Sequence, residues 1–468
     1  MTEGTSTSSV LDTAGRAPGS TYASLDGGGR PIAALPLAQL LQLSVYWFGI
    51  NTIWGALDGV VLQARMPDLV GQQAAGLGLA AAKIAAVAIA IVVQPTIGSI
   101  SDYTMSRWGR RKPYILIGAT LDVALLVGIA TSNTLLGVLA FLVLLQFSSN
   151  FAQGPFQGYV PDLVPARQVG MASALVGVMS VLGVIGGQAI AYGGLALGRD
   201  FAIPTIAVGL IELSTAIGTI LWVREGRAPK DRGGRGWLAI AREAWGADIL
   251  RERSYVWLVG SRLFFLAGVS VIYNLNLLYM ERSLGLDDAD VSLWGTVTVV
   301  LIGLFTLGAA IPAARAAERY GRKRVIYGAS IGGASGMAIL AIAPSILVAI
   351  TGVVLLGIAA GAFLSVDWAL MSDIVPKASS GRFMGMSNVA TASAGPVALI
   401  VGGPILYLLP GGDGTRLAML AGLGFFVVGA LLLRPVDPRR REDLPDDARV
   451  APSLTPNTPA AVAGSIEP

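Results

Sequence analysis

Residues 98–113 read GSISDYTMSRWGRRKP and form a short charged stretch between two long apolar segments. Around Gly109 the residues follow the order basic, aromatic, glycine, basic, basic. The same order recurs around Gly321, 212 residues later (321 − 109). A second motif, Asp-x-Val-Pro, begins at Asp162 and again at Asp373, 211 residues later (373 − 162). Two motifs that recur at nearly one spacing indicate a duplicated unit, so the chain is predicted to consist of two similar halves.

The composition is that of a protein that crosses a membrane many times. Hydrophobic residues make up 54% of the 468-residue chain and charged residues 13%, and the mean hydropathy is +0.66. An apolar run needs about 20 residues to cross the hydrocarbon core as a helix, whereas barrel strands are shorter and alternate in polarity. The sequence therefore predicts an all-α membrane protein with twelve transmembrane helices in two pseudo-symmetric six-helix bundles. The predicted spans are 37–63, 74–100, 113–132, 134–161, 171–197, 201–222, 254–281, 290–314, 324–343, 345–372, 382–409 and 416–434.

The polar segments outside these spans define the domain layout. We expect a cytoplasmic linker between the bundles to form an amphipathic helix on the membrane surface around Trp237 and Trp245. Both ends of the chain have the composition of disordered tails. In chain order, the predicted segments are an N-terminal tail, the first bundle, the linker, the second bundle and a C-terminal tail, at 1–35, 36–223, 224–253, 254–434 and 435–468.

Basic residues predict the orientation. With a cytoplasmic N-terminus, the outward loops hold only four of the 33 Lys and Arg residues, namely Arg65, Arg199, Arg282 and Arg416. Lys83 and Arg262 fall inside spans, which leaves 27 on the cytoplasmic side (33 − 4 − 2). The positive-inside rule therefore places both termini in the cytoplasm and the chain in the cytoplasmic membrane. The net charge of +4 reflects this topology. We expect the lipid bilayer and a small-molecule substrate as partners, no nucleic acid, and a monomer.

The residue types that the chain lacks exclude several kinds of functional site. The chain has no cysteine and no histidine, which excludes thiolate and imidazole metal ligands and histidine proton relays. It also lacks a phosphate-binding loop of the G-x4-G-K-S/T type and any recognisable catalytic cluster. We therefore expect no enzymatic activity, no metal and no cofactor beyond a coupling ion, and any proton chemistry must use carboxylates.

Two six-span halves that each carry a glycine-basic turn after their second span resemble the major facilitator superfamily of secondary transporters. The resemblance covers about residues 37–434. In the first turn, the four residues Tyr103 to Ser106 separate Asp102 from Arg107. This spacing is similar to that of the glycoside-pentoside-hexuronide cation symporters and the related sucrose-type transporters. The resemblance implies the major facilitator fold and transport of a sugar or glycoside with a cation by alternating access.

The charged turns are the predicted gates. Asp102 ends span 2, and we expect it to pair with an arginine or a helix N-terminus across the seam between the halves, as a latch that breaks in the other conformation. The alternative is that the basic residues only follow the positive-inside rule. Arg262 and Asp367 lie at compatible depths in spans 7 and 10, so an ion pair is expected there as a structural tie or a gate. The gating candidates are Gly98, Asp102, Arg107, Gly109, Arg110, Arg111, Asp162, Arg167, Arg262, Asp367 and Asp373.

Polar residues inside the spans predict the transport pathway, since such residues usually face the interior of a helix bundle. In span 4 they follow steps of 4, 3 and 4 and therefore share one helix face, at Gln146, Asn150, Gln153 and Gln157. Span 1 repeats these steps with Trp47, Asn51, Trp54 and Asp58. Amides and indole faces together suit a sugar; the alternative for span 4 is hydrogen bonding between helices. The second half adds Asn274, Asn276, Trp368 and Asn388 as binding candidates.

Coupling requires a carboxylate whose proton affinity changes during transport. The candidates in the first half are Asp58, Asp122 and Glu212. Asp58 is favoured because Lys83 is predicted at a similar depth, so that protonation of Asp58 would release Lys83, and because the resemblance places spans 3 and 6 at the periphery. Melibiose-type sodium symporters carry carboxylates on span 2, where this chain has Lys83 as its only charge. A proton is therefore favoured over sodium as the coupling ion.

Two other functions stay open. One is an exporter of apolar or amphipathic compounds, favoured if the cavity is mainly aliphatic and aromatic. The other is a sensor or assembly factor with the same fold that does not transport. The identity of the substrate and the direction of transport do not follow from the sequence.

Overall fold

The computed structural model describes residues 33–104, 106–225, 234, 236, 252–374 and 380–437. Within these residues every regular element is a helix, and twelve helices are long and apolar enough to cross a membrane. The predicted number of spans is thereby confirmed. The helices are α1 (Leu37–Val70), α2 (Ala75–Ser101), α3 (Lys112–Thr131), α4 (Leu135–Gln157), α5 (Val169–Ala196), α6 (Ala202–Trp222), α7 (Arg253–Ser283), α8 (Asp288–Tyr320), α9 (Arg322–Ile342), α10 (Ile346–Ile374), α11 (Ser380–Leu408) and α12 (Gly412–Leu432).

The two halves pack in the same pattern. In the first half α1 contacts α5 and α6, α4 contacts α2 and α3, and α3 contacts α6. In the second half α7 contacts α11 and α12, α10 contacts α8 and α9, and α9 contacts α12. Adding six to each helix number converts the first set of contacts into the second. The duplicated motifs therefore correspond to two six-helix bundles of the same topology.

The glycines of the two basic turns have equivalent conformations. Gly109 has φ 118° and Gly321 has φ 92°, a backbone region in which a Cβ atom is disfavoured. The turns differ in length, because residues 102–111 separate α2 from α3 whereas Gly321 alone separates α8 from α9. The eighth span was predicted to end at residue 314, but α8 continues to Tyr320. Its last residues, AARAAERY, are mostly strong helix formers.

The halves meet where α2 packs on α11, α5 on α8, and the middle of α1 on α7. Glycines permit close approach here: a Cβ on Gly403 of α11 would lie 2.8 Å from the carbonyl oxygen of Gly76 in α2. Because the number of spans is even, residues 33 and 437 lie on one face of the bundle, which also carries the turn at 102–111. We call this the terminal face and the other the opposite face.

Some expectations fall outside the described residues. The amphipathic linker helix around Trp237 and Trp245 is one of them, and so are the two tails apart from residues 33–35 and 435–437.

Candidate functional site

Asp58 lies at an interruption in the α-helical pattern of α1. Residues Leu57–Val61 form a π-helical turn between two α-helical segments. The side-chain amide of Gln63 donates to the carbonyl oxygens of Asp58 at 3.2 Å and Gly59 at 2.6 Å. The same nitrogen lies 3.2 Å from the carbonyl oxygen of Tyr273 in α7. Gln63 therefore anchors the π turn to the second half, and such turns frequently occur at functional sites.

The ion pair expected between Asp58 and Lys83 of α2 is present. The two side chains are 14% and 16% exposed, so the pair is largely removed from water. Second-half helices face it, because a Cβ built on Gly395 of α11 would lie 3.8 Å from both the Lys83 side chain and the amide nitrogen of Asn274 in α7. Tyr273 lies within electrostatic range of Asp58. The pair thus occupies the seam between the halves.

The polar face of α4 carries amides with spare hydrogen-bonding capacity. Gln146, Gln153 and Gln157 are partly exposed, and no side-chain hydrogen bond joins their amides to other described residues. Asn150 differs, since it is 4% exposed and its amide donates to the Gln146 carbonyl at 2.7 Å. The bonds between helices that would explain this stripe structurally are therefore not found in the described part of the chain.

The stripe on α1 combines indole rings with an amide. Trp47, Asn51 and Trp54 are all partly exposed. The amide of Asn51 donates to the Trp47 carbonyl at 2.8 Å, which leaves its side-chain oxygen as an acceptor. The ring centroid of Trp47 lies 5.7 Å from that of Phe156 in α4, so this end of the α1 stripe lies beside α4.

Two binding candidates of α7 are held by protein contacts. Asn276 is 6% exposed, and its amide donates to the hydroxyls of Tyr192 at 3.0 Å and Thr298 at 3.4 Å. It ties α7 to α5 and α8 through its amide nitrogen, and a role in substrate binding stays a prediction. Asn274 is 2% exposed, and its amide donates to the Ser270 carbonyl at 2.7 Å.

The expected ion pair of Arg262 with Asp367 is also present, and both side chains are buried. Arg262 donates through Nε to the hydroxyl of Thr391 at 3.2 Å. Its guanidinium carbon lies 4.6 Å from the ring centroid of Trp368, within range of a cation–π interaction. Asn388 is partly exposed about one turn before Thr391. The contacts of Arg262 join α7, α10 and α11 within the second half.

The charged turn on the terminal face is neutralised by carboxylates of its own half. Asp102 lies 2.9 Å from Arg111 and 4.0 Å from Arg110. Asp162, which follows α4, pairs with the same two arginines and lies 2.8 Å from Arg111. These ion pairs fasten the α2–α3 turn to the end of α4, and the latch across the seam stays a prediction.

Glu225, just after α6, completes this cluster and was not anticipated from the sequence. Its carboxylate accepts three backbone N–H groups at the start of α3, those of Arg110 at 2.6 Å, Arg111 at 3.1 Å and Lys112 at 3.0 Å. These groups have no carbonyl partner within the helix. The Tyr159 hydroxyl donates to Glu225 at 2.6 Å, and burial, together with the Glu225 charge, raises the pKa of Tyr159 well above its usual range. Tyr159 therefore remains a donor at physiological pH.

The remaining gating candidates are Gly98, Arg107, Arg167 and Asp373, of which the first three differ in burial and in contacts. A Cβ on Gly98 would lie 3.2 Å from the carbonyl oxygen of Gly154, so this glycine allows α2 to pack on α4. Arg107 and Arg167 are exposed. Asp373 lies in the last turn of α10, and its side chain is outside the part of the chain that the structure describes.

Ion pairs join the two halves at the opposite face. Arg199, between α5 and α6, donates to both carboxylate oxygens of Asp288 in α8 at 2.9 and 2.7 Å, and to Glu281 of α7 at 2.5 Å. These interactions, the hydrogen bonds with Asp288 foremost, raise the pKa of Arg199, which stays charged. Arg199 has φ 64°, an uncommon value for a residue with a Cβ atom. We call these three residues the opposite-face lock.

Further contacts close the seam at the same face. Arg282 of α7 donates to the carbonyl oxygen of Gln72 at 3.0 Å and to its side-chain oxygen at 2.9 Å. The Ser292 hydroxyl in α8 donates to the carbonyl oxygen of Tyr192 in α5 at 3.0 Å. The structure is therefore closed at the opposite face.

Asp122 of α3 and Glu212 of α6, the other proton candidates, are fully buried in the core of the first half. The hydroxyl of Ser148 in α4 donates to Asp122, and the hydroxyl of Tyr46 in α1 donates to Glu212 at 2.7 Å. They form an acidic cluster apart from the Asp58–Lys83 pair.

Known proteins resemble the chain in sequence and in fold. The family model described as MFS/sugar transport protein matches residues 53–432. The Membrane-associated transporter protein of Homo sapiens is 36% identical over 98 residues, covering 16% of this chain and 17% of that protein. The Lactose permease of Leuconostoc lactis is 29% identical over 143 residues, covering 27% and 22%. Sucrose transport protein SUT1 of Oryza sativa subsp. japonica is 34% identical over 108 residues, covering 18% and 20%.

The matching stretches span about a fifth of the length of these relatives. Over nearly the whole chain the likeness is structural: the nucleoside transporter NupG superposes with a TM-score of 0.60 at 17% identity, covering 85% of this chain and 98% of that one. At this identity the likeness shows the fold.

Proposed function

The chain belongs to the family of MFS/sugar transport proteins, which are membrane transporters rather than enzymes, and we propose that it moves a sugar or glycoside together with a proton by alternating access. The Asp58–Lys83 pair supports this most directly, because it is a protonatable ion pair on the interface that must rearrange during transport. The distribution of basic residues supports a multi-pass monomer in the cytoplasmic membrane with both termini inside the cell.

The stripes on α1 and α4 support a polyhydroxylated substrate. The amides of Gln146, Gln153 and Gln157 each offer a donor and an acceptor that no described residue uses. The indoles of Trp47 and Trp54 offer apolar faces on which a sugar ring can stack. Two of the relatives are named for lactose and sucrose, which favours the same class of solute. This amide-rich lining favours a sugar over the apolar cargo of an exporter.

Proton coupling follows from the chemistry of the pair. Protonation neutralises Asp58 and leaves Lys83 without its partner, so the tie between α1 and α2 weakens next to α7 and α11. When the proton leaves, the pair forms again. In this proposal, a carrier that faces the cytoplasm after releasing its proton has its opposite face closed and Asp58 paired, and the contacts of Arg199 and Lys83 support it. Lys83 takes the place where a sodium-binding carboxylate would be needed, which favours a proton over sodium.

Uptake of radiolabelled sucrose and lactose by proteoliposomes containing the full chain tests this function. We expect a proton gradient, acidic outside, to drive accumulation, and a sodium gradient alone to have no effect. Asp58→Asn should abolish accumulation but retain downhill exchange, because an amide cannot carry the proton. Asp68→Asn, on the exposed end of the same helix, is the matched control and should accumulate normally. Full accumulation by Asp58→Asn would contradict the coupling role. Binding without flux would support the sensor instead.

A further inference from the structure

Two carboxyl groups lie together in the core of the first half, away from the seam. Asp122 in α3 and Glu212 in α6 each have an exposed fraction of 0%, and the two are close enough for their charges to interact. One oxygen of each accepts a hydroxyl, that of Ser148 for Asp122 and that of Tyr46 for Glu212. The other oxygens, Oδ2 of Asp122 and Oε2 of Glu212, are buried without a hydrogen-bond partner. Each carboxyl group therefore has one oxygen with a hydrogen-bond partner and one without.

The surroundings of the cluster supply no positive charge. The titratable group that α1 presents to it is Tyr46, and α3 and α6 present the two acids themselves. From α4 come the hydroxyls of Ser148 and Ser149, which are neutral. Among the described residues no Lys or Arg faces either carboxyl group. Two ionised carboxylates in such a place would be strongly unfavourable, since burial penalises each charge and the charges repel.

A metal cation does not fit this arrangement as well as a proton does. Hard cations take about six or more oxygen ligands, whereas the free side-chain oxygens found here are one of Asp122, one of Glu212 and the Ser149 hydroxyl. The backbone carbonyls around Asp122 and Glu212 belong to regular α-helices and are engaged in helical hydrogen bonds. A proton needs only one oxygen to bind, and each carboxyl group has one free oxygen.

The second half shows that the bundle can pack without these acids. The 211-residue offset relates Asp122 to Gly333 (333 − 122) and Ser148 to Ala359 (359 − 148). Phe426 of α12 fills the space beside Gly333, where a Cβ would lie 2.6 Å from the ring. Apolar side chains thus occupy the equivalent core. Two buried acids are not needed for this packing, and a binding role explains their presence in the first half.

We propose that Asp122 and Glu212 form a second proton-binding site, separate from Asp58 and Lys83, in which the buried pair retains a proton on one of its two carboxyl groups. The proton comes from water and forms an O–H bond at one of the two free oxygens. Tyr46 connects this site to α1, directly before Trp47 of the proposed sugar site. Loss of the proton adds a second negative charge next to α1, and the repulsion between the two carboxylates loosens the packing of the helices around them. The site makes the packing of α1 sensitive to pH.

Infrared spectroscopy of the full chain in liposomes tests the site without any transport assay. A protonated carboxyl group has a C=O stretching band distinct from the carboxylate bands, and it shifts in D2O. We expect this band at neutral pH in the wild type and in Asp68→Asn, and its loss in the double variant Asp122→Asn with Glu212→Gln. Absence of the band in the wild type would overturn the proposal, and so would its persistence in the double variant. Replacement of the band by a sodium-dependent carboxylate signal would identify a sodium site and also overturn it.

Thermal unfolding at different pH values gives a second readout. The folded chain holds a proton that the carboxyl groups release once they reach water, so the folded state binds more protons and stability falls as pH rises. We expect the melting temperature of the wild type to fall between mildly acidic and alkaline pH, and the double variant, whose amides do not titrate, to show a flatter profile. Equal pH profiles would contradict the site. If the double variant does not fold, the wild-type infrared band decides alone.

Discussion

At the scale of single residues, Lys83 and Asp58 are acceptable in the membrane because each neutralises the other. Their side chains are 16% and 14% exposed, and they come from different helices of the first half. Breaking a largely buried pair from one side leaves the other charge uncompensated, which costs more than the pair contributes when intact. The two residues therefore have to be considered together.

Replacing Lys83 by alanine is expected to lower the free energy of unfolding by about 3 kcal/mol, the usual cost of an unpaired buried charge. Adding Asp58→Asn should recover most of the loss, since the remaining charge is removed. Denaturant unfolding of the wild type, both single variants and the double variant measures this as a double-mutant cycle. If Lys83→Ala lowered the free energy of unfolding by the same amount in the wild type and in the Asp58→Asn variant, the two side chains would not interact.

At the scale of helices, contact between α1 and α5 depends on glycine. A Cβ on Gly55 of α1 would lie 2.6 Å from the carbonyl oxygen of Val184 in α5, closer than real Cβ atoms come to backbone. Gly177, also in α5, has nothing within 4 Å of such an atom. Alanine substitutions at these two positions therefore distinguish the effect of close packing, at Gly55, from the effect of helix propensity, at Gly177.

We expect Gly55→Ala to lower the melting temperature, at a cost of about 1–3 kcal/mol for overpacking a close contact. Gly177→Ala should be neutral or stabilising by up to about 1 kcal/mol, because alanine is the better helix former. Thermal unfolding of both variants in the same detergent is the measurement. An unchanged melting temperature in Gly55→Ala would mean that α1 and α5 can separate at Gly55 to accommodate the added methyl group.

At this scale, patterns within one helix could be predicted from the sequence, whereas contacts between residues far apart in the chain could not. The steps of 4, 3 and 4 that align Gln146 with Gln157 follow from helix geometry alone, and α4 presents them as expected. Arg199 looked like one basic residue in an outward loop. Its two carboxylate partners lie more than eighty residues along the chain and meet it only because α5 packs on α8. Glu225 was missed for the same reason. Asp102 was expected to pair with an arginine, and the arginine found at 2.9 Å belongs to its own turn, a local contact that the search for a partner across the seam passed over.

At the scale of the whole molecule, the opposite-face lock favours one of two conformations. Arg199 belongs to the first half, and Glu281 and Asp288 belong to the second, so opening this face requires breaking their interactions. The side chains are 40%, 20% and 43% exposed. Water and salt screen such pairs, so the lock contributes a modest bias rather than a fixed closure.

Arg199→Ala is expected to shift the balance toward the state open at the opposite face by about 1 kcal/mol, roughly fivefold. Spin labels at Leu197→Cys and Leu293→Cys, both exposed positions on the two halves, report the distance across this face. The chain has no native cysteine to remove. Arg65→Ala is the matched control, because Arg65 donates to Ile129 and Ser132 within the first half. An unchanged distance distribution in Arg199→Ala would show that other contacts hold the face closed.

The π turn at Leu57–Val61 gives α1 two rotational registers. An α-helix turns by a fixed angle at each residue, so a wider turn in its middle offsets the direction of every side chain that follows. Before the offset, Trp47 lies beside Phe156 of α4. After it, Gln63 points into α7 and holds the closed end of the seam. Removing one residue from this turn would rotate the two ends out of phase, and α1 could then line the pathway or fasten the closure, but not both.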